Sequence, residues 1–172
     1  MSTALTFIDK KLHDTPVVGP DGAVHYTTST TKGLMGRKVT TITAASGLVG
    51  FINWREKVFV INGMEWSWSQ LRSRSTGFFE PTYQWHWGNK SYKLEYHDMH
   101  QSLLATPSSG NVADTVRFTP YHPHLMRENE KAIIYFPNQM QDEDERMFLL
   151  MAILQTDIHR QDVNTAAAAA AA

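Results

Sequence analysis

The chain has 172 residues, 42% of them hydrophobic, with 16 basic and 17 acidic residues and a net charge of −1. That composition suits one globular domain with a real core and excludes an intrinsically disordered chain. Near-neutral charge excludes whole-molecule attraction to nucleic acid or to an anionic membrane and leaves room only for a local patch. The absence of cysteine excludes thiol catalysis, disulfides and thiolate metal sites.

Residues 1–22 read as a loosely ordered leader, because Pro16, Gly19, Pro20 and Gly22 are breakers. MSTALTFIDKKLHD lacks an apolar h-region, and no apolar run elsewhere approaches the ~20 residues of a membrane span. A cytoplasmic protein, at most peripheral at membranes, is the expectation.

From Ala23 the texture is β. AVHYTTST and GRKVTTITAA are rich in Val, Thr, Tyr and Ile and are separated by a turn near Lys32-Gly33. GLVGFINW and KVFVING continue the series. Asn62-Gly63 is a two-residue hairpin signal that returns Met64-Glu65-Trp66 beside KVFVI. SWSQLRSR suits a short helical turn capped by Ser67 or Ser69. Phe78-Phe79 and TYQWHW resume strand character, and the alternation of Tyr83, Trp85 and Trp87 puts three rings on one face. SYKLEYHD answers across a turn at Gly88-Asn89. HQSLLATP, TVRFTPY and KAIIYFPN complete nine to eleven expected strands, with TPSSGNVAD as a loop.

Residues 142–161, DEDERMFLLMAILQTDIHRQ, read as a helix. Asp142 to Glu145 complement the positive end of its dipole. Met147 to Leu154 leave no polar stripe, so the helix must be enclosed on all sides. A mostly β chain with one fully apolar helix is best satisfied by a closed antiparallel β-barrel threaded by that helix. One domain over 23–165 is expected, with the alanine run at 166–172 outside the functional argument.

The ordered series TTKGLMGRKVTTITA, VGFINW, KVFVINGMEWSWSQL, YQWHWG with YKLEY, TVRFTP and the terminal MFLLMAILQT resembles a family of uncharacterised domains of mushroom-forming fungi. Those domains are similar to the tubby C-terminal and phospholipid-scramblase-like barrels. The resemblance covers about residues 23–161 and implies a tubby-like barrel around a C-terminal helix. Tubby-type barrels bind phosphoinositide head groups, and scramblase relatives are associated with membranes, so the resemblance implies an anionic lipid as partner. It supplies no catalytic signature.

The residues themselves offer three candidate sites. Lys32, Arg37 and Lys38 flank one turn, and Arg72 and Arg74 follow the short helical segment; brought together, they would clamp a phosphate. Trp66 shares a face with Trp68, and Trp85 with Trp87. Core packing is the simpler reading, but one exposed pair would make a carbohydrate-stacking or protein-binding surface, and exposed tryptophans or strand edges would support a self-associating homo-oligomer. His122 and His124 have the strand spacing of a metal-ligand pair, but a third ligand such as Asp98 would have to come from elsewhere, and loop histidines are the simpler reading. No nucleophile elbow, phosphate loop or zinc helix motif is present, so a non-catalytic module without a cofactor is expected. Nucleic acid is not an expected partner.

Overall fold

Short alternating stretches joined by tight turns can pair only with neighbours in the chain, and that is how the sheet is built. The computed structural model describes residues 2–34, 36–75, 82–97, 102–123 and 129–170. Its strands are β1 (Ser2–Phe7), β2 (Thr15–Val18), β3 (Val24–Gly33), β4 (Gly36–Ala44), β5 (Val49–Asn53), β6 (Val58–Ile61) and β7 (Met64–Ser67). One helical turn, α1 (Trp68–Leu71), separates these from β8 (Arg72–Ser75), β9 (Thr82–Trp87), β10 (Lys90–His97), β11 (Ser102–Pro107), β12 (Val116–Thr119) and β13 (Ile133–Pro137). The long helix α2 (Glu143–Ala170) follows.

All thirteen strands form one antiparallel sheet in the order β7-β6-β5-β4-β3-β2-β1-β13-β12-β11-β10-β9-β8. Almost every neighbour is also a sequence neighbour. The long-range link is β1 with β13, in the register Ser2↔Pro137 to Thr6↔Ile133, which joins the two ends of the strand series.

Three expectations need correction. Residues 2–18 are not a loose leader, because β1 and β2 lie in the middle of the sheet. Leu5, Phe7 and Val17 are buried on its inner face. Pro16 concealed β2, a four-residue strand whose pairing with Thr27 tolerates the missing N–H.

The second correction concerns closure. The two edges of the sheet, β7 and β8, share no backbone ladder, so the sheet is not closed by hydrogen bonds. These edges are nevertheless consecutive in the chain, joined by α1 alone. Ser67 caps that turn through a reciprocal pair: its Oγ accepts from the Gln70 N–H at 3.3 Å, and its own N–H donates to Gln70 Oε1 at 2.9 Å. Aromatic rings span the seam. Phe59 of β6 stacks on Trp85 of β9 with centroids 5.4 Å apart, and Trp66 of β7 meets Trp87 of β9 at 5.1 Å.

The third correction lengthens the helix, which runs on through Ala170. Asp142 Oδ1 accepts the N–H groups of Asp144 and Glu145 at 3.0 and 3.2 Å, capping its start. Every side chain from Met147 to Leu154 has zero exposure, and Ile158 is also buried. The segment is therefore enclosed on all sides, which is why it carries no polar stripe. Trp87 stacks on Phe148 at 4.9 Å, tying the seam to the helix. Beyond His159 the helix leaves the sheet and is mostly exposed.

Candidate functional site

The β1–β2 connection is held down from within. Leu12 is buried, and its carbonyl accepts from Thr28 Oγ1 at 2.9 Å; the His13 carbonyl accepts from Thr30 Oγ1 at 2.6 Å. These contacts fix the loop across β3 and leave Lys10 and Lys11 exposed beside it. The end of α2 supplies the opposite wall. Together Lys10, Lys11, His13, Tyr121, Arg160 and Gln161 line a recess of about 240 Å³.

The field in this recess is positive. The His13 imidazole is held below its ordinary range by burial first and by the Arg37 guanidinium second. Lys32 and Lys11 act in the same direction, and Asp14 opposes them. The β3–β4 hairpin that carries Lys32 and Arg37 therefore stands close to the recess. Arg160 is balanced by Asp157, 2.8 Å away and fully buried, which also accepts from Tyr96 Oη and Gln161 Nε2. Burial and the Asp157 carboxylate push the Tyr96 hydroxyl up, so it remains a donor. Arg37 is balanced by Asp162. Lys10, Lys11, Lys32 and Lys38 have no ion pair among the described residues, so the uncompensated charge of this face is theirs.

The five basic residues singled out in sequence separate into two places. Lys32 and Arg37 are partners across the β3–β4 hairpin, with Lys38 next to them and exposed. Arg72 lies instead over the Tyr83 ring at 4.3 Å, with Trp85 at 5.5 Å and Trp68 at 5.8 Å. Between Arg37 and Arg72 stands the edge-to-face pair Trp54–Trp68, so the two guanidinium groups do not converge on one ligand. Arg74 is exposed on β8. The single clamp is replaced by a recess whose lysines come from the β1–β2 loop. The Lys10-Lys11 doublet was the sequence signal for it.

The tryptophans are inside more than outside. Trp85 has zero exposure and Trp68 7%, while Trp66 and Trp87 are half-buried against the core. Core packing therefore holds for Trp68 and Trp85, and neither the Trp66–Trp68 pair nor the Trp85–Trp87 pair is exposed as a pair. The alternation that aligned Trp85 with Trp87 aims them at Phe148 of α2. His122 pairs its backbone with Glu130, and His124 lies outside the described residues, as do Phe78 and Phe79. Among the described residues no three His, Asp or Glu side chains are grouped to hold a metal.

A larger cleft, about 630 Å³, opens at the start of α2 between the β9–β10 and β11–β12 connections. At its base Glu145 is only 2% exposed, accepts from the Tyr92 hydroxyl, and accepts from Lys90 Nζ at 2.7 and 2.9 Å. Burial and the Glu145 carboxylate push the Tyr92 hydroxyl up, so Tyr92 acts as a donor here. Sequence reasoning treated Glu145 as one of four solvated acids and missed this buried role. Nearby, His86 is bridged by Ser73 and Ser91, each at 2.9 Å. Both ring nitrogens are occupied by hydroxyls, which makes the trio a cross-strand polar ladder over β8, β9 and β10.

Fold and site define a β-sheet protein wound around a buried helix, with a lysine-rich recess where the helix emerges. The model of a family of unknown function, DUF6593, matches residues 10–145, and the chain belongs to that family. The matched span begins at Lys10, in the recess, and ends at Glu145, in the cleft. No curated protein and no solved structure matches the chain. The family description names neither a tubby barrel nor a fungal source.

Proposed function

We propose that the protein is a non-catalytic, tubby-like binding module that takes an anionic, phosphoinositide-like head group in the recess beside the end of α2, as a peripheral protein of the cytoplasm. The observation that carries the reading is that Lys10 and Lys11 line the recess beside the half-buried His13, with Lys32 close enough to act on its ring, and that none of the three has an ion pair among the described residues. The chain as a whole is slightly acidic, so this local excess of positive charge is not a consequence of composition. A recess of about 240 Å³ suits a phosphate-sized group better than a large apolar ligand. The space inside the sheet is filled by α2, which leaves the outer surface for binding. The cysteine-free composition agrees with a reducing compartment. No described helix is long and apolar enough to cross a membrane.

The test is co-sedimentation with phosphatidylcholine vesicles with and without a phosphoinositide, at low and raised salt. Binding that needs the anionic lipid, falls with salt and is lost in the Lys10→Glu, Lys11→Glu double variant is expected. Indifference to lipid composition and to that double reversal overturns the reading.

A further inference from the structure

Among the described residues three hairpins pair across two intervening residues, and in two of them those residues are themselves turn formers. The β6–β7 loop is Asn62-Gly63, with φ of 51° and 76°, the left-handed pair that such a turn demands. The β9–β10 loop is Gly88-Asn89, with Gly88 at φ 57°. The β3–β4 loop is Leu34-Met35, held between the paired Gly33 and Gly36. A leucine in such a loop gains nothing from turn geometry. Gly36, at φ 101°, takes up the conformational demand that the loop residues would otherwise meet.

Leu34 is also the most exposed large apolar side chain described, at 109% relative accessibility. It stands at the tip of the longest strand pair in the sheet, which pairs from Tyr26↔Ala44 to Gly33↔Gly36 with one register shift between Thr31 and Lys32. With Gly36 meeting the backbone demand, what fold geometry does not account for is the fully exposed leucine side chain itself, and an exposed apolar group of this size marks an interaction site.

The charges around the tip decide what would cover it. Lys32 precedes Leu34 by two residues, Arg37 and Lys38 follow it, and the Lys10-Lys11 loop stands on the same side of the molecule. Asp162 offsets Arg37, and Asp14 reduces the field at His13, yet among the described residues Lys10, Lys11, Lys32 and Lys38 have no ion pair. An apolar tip ringed by long cationic side chains matches an anionic lipid bilayer. The leucine enters the acyl boundary while the lysines stay at head-group level.

We infer that the β3–β4 hairpin is a membrane-inserting prong, with Leu34 entering an anionic bilayer and Lys32 and Lys38 holding its head groups. The inference rests on the anion-binding reading above and narrows its source to a lipid surface. It gives the recess a role as well, since a head group drawn from the same leaflet lies within reach of Lys10 and Lys11 once the prong is seated.

The chain has no cysteine, so Leu34→Cys carries a single nitrobenzoxadiazole probe at the tip without competing thiols. The labelled protein is mixed with phosphatidylcholine vesicles with and without phosphatidylserine, and flotation and probe emission are read together. Flotation only with phosphatidylserine, a blue shift with severalfold brighter emission, and about a tenfold loss of bound fraction in unlabelled Leu34→Glu are expected. Leu34 has no core contact to lose, so Leu34→Glu folds, which an unchanged urea midpoint confirms. Flotation with water-like emission, or wild-type flotation of Leu34→Glu, overturns the prong and leaves the anion reading standing. Calorimetry with inositol hexakisphosphate provides the second arm. If it binds the recess while vesicles of neither composition do, the membrane source is overturned alone. If neither binds, both readings fall.

Discussion

Arg37 grips Asp162 with both arms of its guanidinium: Nη1 reaches Oδ2 at 2.6 Å and Nη2 reaches Oδ1 at 3.0 Å. The pair ties the β3–β4 hairpin to the emerging end of α2, and Arg37 also lies over the Trp54 ring at 5.7 Å. Both partners are partly exposed, so the pair itself contributes about 0–1 kcal/mol. Its larger consequence is electrostatic, because Asp162 cancels one cation of the basic face.

Asp162→Asn should therefore strengthen binding of anionic vesicles by about threefold at low salt, as expected for removing one like charge near a surface site. Stability should change by less than about 1 kcal/mol. The check is a vesicle titration beside a urea melt. Weaker binding by the variant would mean that Arg37 must be held by Asp162 for the site to work, and the electrostatic argument would fail.

His13 gives the recess a pH dependence. Burial and the neighbouring Arg37 hold its pKa below the ordinary 6.5, so the folded state favours neutral imidazole. The stability this provides is fully present above 6.5 and is lost as pH falls through the depressed folded value. A bound anion reverses the balance, because its charge offsets that of Arg37 and the lysines and raises the His13 pKa. Binding then takes up a proton, and affinity should rise as pH falls below about 6.5. Inositol hexasulfate, which does not titrate in this range, is the suitable probe for calorimetry. An unaltered pH slope in His13→Asn would refute the assignment.

Arg72 is expected to matter for folding and not for ligand. Its guanidinium covers the Tyr83 ring at 4.3 Å beside Trp85 and Trp68, where the two sheet edges are joined by α1. Arg72→Ala should cost roughly 1–2 kcal/mol through lost cation–π contact and packing. Vesicle binding by the folded fraction should be unchanged. A loss of binding at constant stability would return Arg72 to the site.

The strands most legible in sequence were those with unbroken alternation and a sequence-adjacent partner. Tyr83, Trp85 and Trp87 announced β9, Asn62-Gly63 announced the β6–β7 turn, and Ser67 announced the cap of α1. The enclosure of Met147–Leu154 followed from the absence of any polar position. What was hidden depended on partners far along the chain. β1 is a strand because β13 lies beside it, and no local pattern in Ser2–Phe7 reports that. The recess joins Lys10 and His13 to Arg160 from opposite ends of the sequence. Core packing was the simpler reading of the tryptophans and holds for Trp85, while Arg72 was grouped with a phosphate clamp because spacing tells which residues share a face, and not which face meets the aromatic seam.

Glu145 illustrates the same limit and supports its own prediction. Four consecutive acids look alike in sequence, yet only Glu145 turns into the body, where Tyr92 and Lys90 donate to it. Glu145→Ala leaves the Tyr92 hydroxyl without its acceptor, while Lys90, 55% exposed, can turn to water. A loss of about 1–3 kcal/mol is expected. Glu145→Gln retains an acceptor for Tyr92 and should recover much of that loss. Urea midpoints of the two variants and of Tyr92→Phe settle the matter. Equal losses in Glu145→Ala and Glu145→Gln would show that charge, and not the hydrogen bond, is what the site requires.

The helix itself sets the most severe test. Leu150 lies mid-helix with zero exposure, and every residue from Met147 to Leu154 is equally enclosed. Leu150→Ala should cost about 2–5 kcal/mol through lost contact and an unfilled cavity. Leu150→Asp places an unpaired charge in the same position and should abolish folding, since its cost is comparable with the whole stability of a domain. The sheet side can be probed independently at Gly50 of β5, where a Cβ would stand 2.9 Å from Met147 Sδ and 3.1 Å from Met151 Sδ. Methionine yields readily, so Gly50→Ala should be mild, at about 1 kcal/mol. Gly50→Val, which adds volume that the two thioethers cannot both escape, should cost roughly 1–3 kcal/mol. Circular dichroism melts distinguish these outcomes. A folded Leu150→Asp together with a neutral Gly50→Val would mean that the sheet does not close upon the helix at this level.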